Sequence, residues 1–147
     1  MKWICVLVWS AAALAGPAEY RAQFVGGTIP EVFGKSQTHM DFGGSELLVL
    51  RGSQYEIRIS YRKINTLEYG QNVSRRYAEA ILISPVLLLA KSRKHFVTIG
   101  YLDDSGQQQA LVLRVSKGDI RSVLASLEAR TGRRVEYQDS EARKAGR

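Results

Sequence analysis

The chain has 147 residues, 45% hydrophobic and 24% charged, with a formal net charge of +7 at pH 7. That length suits one ordinary domain with its own core, and a single cysteine, Cys5, excludes an internal disulfide framework. The charge favours acidic partners: anionic lipid headgroups, envelope polysaccharide or an acidic protein face.

Met1-Lys2 is a short positive start, Trp3 to Leu14 a nearly unbroken apolar run, and Ala13-Leu14-Ala15 the small-x-small pattern that a signal peptidase accepts. A dozen apolar residues fall short of the roughly twenty that a stable membrane-spanning helix needs. Residues 1–15 are therefore expected to be a cleaved secretory signal peptide, leaving a secreted or periplasmic protein. The alternative is an uncleaved N-terminal tether. Cleavage removes Lys2, Cys5, Trp3 and Trp9, leaving 132 of the 147 residues at a net charge of +6. Packing alone must then stabilise the fold, and export argues against nucleic acid as the partner.

Residues 16–45, with Pro17, Pro30 and two Gly-Gly pairs, read as a loop-rich N-terminal segment. It has room for a short strand at Tyr20–Val25 before a turn at Gly26-Gly27. Residues 46–137 then read as one β-rich domain. Glu46 to Leu50 is a short apolar run, Arg51-Gly52-Ser53 a turn, and Tyr55 to Tyr61 alternates with Tyr55, Ile57, Ile59 and Tyr61 on one face. Period two with aromatic and β-branched residues marks a half-buried strand, so the pair predicts a β-hairpin. Ile64 falls out of phase, which a bulge or a single helical turn accommodates.

Ala78 to Ala90 is apolar but only about thirteen residues long, and it contains Glu79, Ser84 and Pro85. It is expected to be a buried core segment, with a membrane-dipping or partner-facing hairpin as the alternative. No transmembrane span is expected in the mature chain. Phe96 to Leu102 and Gln107 to Val115 flank Asp103-Asp104-Ser105-Gly106 as a second hairpin, with Leu111, Leu113 and Val115 on one face. Ser116 to Asp119 resembles a capping box, and Ile120, Val123, Leu124 and Leu127 form one apolar stripe of an amphipathic helix. Gly132 is placed as its C′ residue, and Arg130, Arg133 and Arg134 complement its dipole. Val135 and Tyr137 suit a short strand, and residues 138–147 a polar, frayed tail. The fold class is α+β, mainly β: a bent antiparallel sheet or open barrel capped by the C-terminal helix.

Tyr55–Gly70 (YEIRISYRKINTLEYG), Lys94–Tyr101 (KHFVTIGY) and Leu127–Gly132 (LEARTG) resemble, in that order, a group of bacterial secreted proteins with a pleckstrin-homology-like domain. The resemblance implies that fold and carries no chemistry. Familiar pleckstrin-homology domains work on cytoplasmic phosphoinositides, which an exported protein does not meet, so that ligand is not carried over.

Among candidate sites, a serine-type triad fails on geometry. The Asp103–Ser105 turn should lie roughly 25 Å from His95, at the far end of the hairpin. Asp103–Gly106 lacks the ligand spacing of a calcium loop, and no histidine or carboxylate spacing suits zinc or an acid/base pair. No catalytic residue, metal or cofactor is expected. The basic residues remain: Arg58, Arg62 and Lys63 in one cluster, Lys91, Arg93 and Lys94 in another, and Arg75-Arg76 in a third. If the first hairpin neighbours residues 91–102, the first two clusters merge into a cationic patch beside Val86–Leu89. The plainer alternative is a solvated face. The sequence thus points to an exported, non-catalytic binding or interaction module of the cell envelope. The alternative is a peripheral surface protein touching anionic lipid or polymer through the patch.

Overall fold

The computed structural model describes residues 19–29, 36–71, 82–83 and 94–146. Residues 1–15, expected to be a signal peptide, Arg75-Arg76, Lys91, Arg93 and the 78–90 stretch apart from 82–83 lie outside them. The architecture is mainly β. Strands β1 (Glu19–Gly27), β2 (Ser36–Asp41), β3 (Leu47–Arg51) and β4 (Glu56–Ser60) form one antiparallel meander. β5 (Ile64–Gly70), β7 (His95–Leu102) and β8 (Gln108–Val115) form a second, and β8 joins β1 to unite them. The sheet order is β4-β3-β2-β1-β8-β7-β5-β9, with the two-residue β6 (Leu82–Ile83) beside β1. β9 (Glu136–Tyr137) is the parallel member, against β5.

Chain connectivity requires this sheet to curl. β4 and β5 are six places apart, about 29 Å across a flat sheet. Only the single 3-10 turn Tyr61–Lys63 joins them, and it spans at most about 14 Å. The two ends therefore approach one another without pairing, and the sheet stays open. The turn absorbs the phase slip at Ile64. It also buries Tyr61, whose hydroxyl finds no hydrogen-bond partner among the described residues. Burial of that ring offsets the cost of its desolvated hydroxyl.

Helix α1 (Ile120–Thr131) closes the concave face. Ile120, Val123, Leu124 and Leu127 are all buried, in one cluster with Leu48, Ile59, Ile64, Val97 and Leu111. Its start is half of a capping box. The Ser116 Oγ accepts from the Asp119 N–H (3.2 Å) and donates to the Asp119 carboxylate (2.8 Å), which therefore does not reach back to the Ser116 backbone. Gly132 ends the helix at φ +68°, as its C′ placement predicts. Arg130 goes beyond complementing the dipole: its Nη2 donates to the Phe42 carbonyl (2.9 Å), tying α1 to the β2–β3 loop.

Three expectations are corrected. Residues 16–45 supply β1 and β2, both in the interior of the sheet, rather than mainly loop. Gly26 and Gly27 are not a turn but the end of β1, paired with Val112 and Leu111 after a bulge. A Cβ at Gly27 would stand 2.9 Å from the Ala110 carbonyl oxygen, so glycine serves close strand approach there. The tail does not fray either. Ser140–Gly146 is a second helix, α2, with Ala142 fully buried. The Asp139 carboxylate caps it by accepting the Ala142 N–H (2.6 Å).

Candidate functional site

Among the described residues, the sheet separates Arg58, Arg62 and Lys63 from Lys94, the one described member of the second cluster. Arg58 on β4 is bound by Glu56 (2.6 Å), which also holds Arg51 (3.2 Å), and Arg51 in turn holds Asp41 (2.8 Å). These two cations and two carboxylates, spread over β2, β3 and β4, cancel. Lys63 pairs with Asp104 at the turn end of the β7–β8 hairpin. Lys94 precedes the opposite end of β7, roughly 25 Å away for eight residues of strand. Arg62 is exposed on the 3-10 turn, away from Lys94. The first hairpin neighbours β2, not β7, so the condition for a merged patch is not met.

A different cationic site forms where β1, β8 and β7 meet the start of α1. Cross-strand register sets Gln23 opposite both Arg114 and Gln37, so Arg21, two residues before Gln23, shares their outer face. Lys94 and Lys117 arrive from the segments flanking β7 and β8. Together Arg21, Lys94, Arg114 and Lys117 line a cleft of about 480 Å³, with Gln23, Gln37 and Ser116 as neutral hydrogen-bonding groups. Among the described residues, no carboxylate lines it. Among the described residues none of the four cations forms an ion pair, and Arg114 reaches only the Gln23 amide oxygen, at 3.5 Å.

His95 stands at the inner wall of this cleft. Its Nδ1 lies 2.5 Å from the Tyr69 hydroxyl, and the two rings stack at 6.0 Å with planes 6° apart. Tyr69 is fully buried and packs edge-on against Tyr137. Burial, with Tyr137 and Asp139 nearby, pushes the Tyr69 phenol pKa up, so it keeps its proton at neutral pH. Burial first, and the charge of Lys117 second, hold His95 below the ordinary histidine range. The ring is therefore neutral at pH 7, with one of its nitrogens sharing a hydrogen bond with the Tyr69 hydroxyl. Ser116 also lines the cleft, but its hydroxyl donates to Asp119.

Two further clefts continue from the first. One, of about 630 Å³, shares His95 and Lys117 and adds Arg121 and Lys144, with Gln71 and Glu141. The next, of about 460 Å³, shares Arg121 and adds Arg134 and Arg143 beside Tyr137 and Glu128. Glu128 is engaged in accepting the Val135 N–H (2.8 Å). Among the described residues, no group of three histidine, cysteine or carboxylate side chains is placed to hold a metal, and no helix is long and apolar enough to cross a membrane.

Of the basic clusters singled out in the sequence, the described residues are Arg58, Arg62, Lys63 and Lys94, of which Lys94 alone belongs to this site; Arg75, Arg76, Lys91 and Arg93 lie outside the described residues. Arg21, Arg114 and Lys117 were missed because strand pairing between residues some ninety positions apart brings them together. The available local signal was Arg114 interrupting the apolar run of β8 on the face opposite Leu113 and Val115. The sequence matches no protein-family model and no curated protein.

Proposed function

We propose that the chain is an exported, non-catalytic binding module of the cell envelope, and that it captures an anionic ligand in the cleft of Arg21, Lys94, Arg114 and Lys117. One observation carries this reading: four cations from β1, the start of β7 and the end of β8 converge on a concave surface that no carboxylate lines among the described residues. Placing like charges together without counter-ions costs energy that an anion recovers on binding. The β2–β4 surface, whose charges already cancel, supports no such role. The reading takes the curled sheet with its capping helix to be pleckstrin-homology-like in architecture, with a ligand site of its own.

Calorimetry with inorganic tripolyphosphate tests the cleft. Saturable binding that weakens between about 50 and about 300 mM salt is expected, because the Debye length falls from about 14 Å to about 6 Å over that range. Arg114→Gln with Lys117→Gln should lower affinity about tenfold or more, equivalent to ~1.4 kcal/mol. Arg58→Gln with Arg62→Gln should leave it unchanged. Equal binding by both double variants would sink the assignment. Export is tested separately, by intact mass of the envelope form, where loss of fifteen residues is expected.

A further inference from the structure

We infer that the three clefts work as one continuous track for a linear anionic glycan. This rests on the anion-binding reading and adds the ligand's shape and class. The clefts are joined by residues they share: His95 and Lys117 link the first to the second, and Arg121 links the second to the third. Crossing from β1 through β8 to β7 covers about 10 Å at normal strand spacing. Following α1 from Arg121 to Glu128 adds about 10 Å more. A path on the order of 20 Å exceeds what one compact anion occupies and suits a chain with repeated charges.

The neutral lining selects among polyanions. Gln23 and Gln37 in the first cleft and Gln71 in the second supply the donors and acceptors that sugar hydroxyls require. Single-stranded nucleic acid is held on successive aromatic platforms. Along this path the rings are His95, already stacked on Tyr69, and Tyr137, packed edge-on against the same tyrosine. A membrane surface would call for cations around an apolar projection, whereas these cations line concavities.

Heparin oligosaccharides of two and eight sugars, titrated into the full mature chain at fixed salt, test the track. The octasaccharide should bind at least about tenfold more tightly, because a second set of contacts engages within the same molecule. Arg134→Gln with Arg143→Gln, at the far end of the path, should remove most of that gain. The same change should leave disaccharide and tripolyphosphate binding unaltered. The charge-preserving Arg134→Lys with Arg143→Lys should retain the gain, which separates charge from any loss of fold. Equal affinity for both lengths, or a far-end double variant that binds like wild type, overturns the track while leaving the first cleft standing. Single-stranded DNA of matched charge binding as tightly, or anionic vesicles displacing the octasaccharide, overturns the glycan assignment. If tripolyphosphate does not bind at all, the anion-binding reading itself fails.

Discussion

The surface of β2, β3 and β4 carries Arg51 and Arg58, and the cleft at the start of α1 carries Arg21, Lys94, Arg114 and Lys117, yet the two differ in kind. On the first, cross-strand register sets Arg51 opposite Glu56, and Arg51 and Arg58 share that carboxylate while Asp41 takes the rest. On the second, register sets Arg114 opposite Gln23, and the cations face amides and each other. What distinguishes a solvated face from a binding surface is thus the identity of the cross-strand neighbour, not the density of basic residues.

Both surfaces hang on one core, so its disruption should have the largest effect and should not discriminate between them. Leu127→Ala, at a fully buried position of α1, should cost about 2–5 kcal/mol in denaturant unfolding. A loss below ~1 kcal/mol would mean that α1 does not close the sheet. Arg130 bridges the two halves by its bond to the Phe42 carbonyl, so Arg130→Ala should cost about 1 kcal/mol. Its melting transition should shift without any change in anion affinity.

Acidification should drive the two surfaces apart. Since His95 has a folded pKa below that of the unfolded chain, the unfolded state takes up the proton first as pH falls through about 6.5. Stability should decline over that window, and His95→Gln should flatten the decline in melts between pH 7.5 and 5. Protonated His95 adds a positive charge to the cleft, so anion affinity should rise at the lower pH where the folded form takes up its proton, and in wild type only. Asp41, held low by the Gly43 N–H and by Arg51, and Glu56, held low chiefly by Arg58, stay ionised there. The smallest effect is expected from Arg51→Gln. It opens an exposed network, and its slight destabilisation should disappear at high salt.

The parts of this molecule visible in its sequence are those with local periodicity. Tyr55–Tyr61 alternates because β4 has one buried face, and Ile120–Leu127 repeats at helical spacing because one stripe of α1 is buried. β2 was hidden because its only buried positions are Thr38 and Met40 within SQTHMD, too few to outweigh the polar residues around them. β1 was cut short because Gly26 and Gly27 look the same in sequence whether they turn the chain or admit a neighbouring strand. α2 was missed because one alanine, Ala142, makes its main buried contact. The site was the least legible part, since it exists only through the β1–β8 pairing.

That pairing also sets the order in which the molecule can be completed. Gln23 and Arg114 lie 91 positions apart, so the flank of β1 that β8 occupies has no partner until nearly the whole chain has emerged. The first meander can assemble early, but it must wait with an open strand edge, and contacts of such long range form slowly. The interval before β8 arrives is when a second nascent copy could add its own strand to that edge. For this protein, productive folding is a race between the last hairpin and a neighbour.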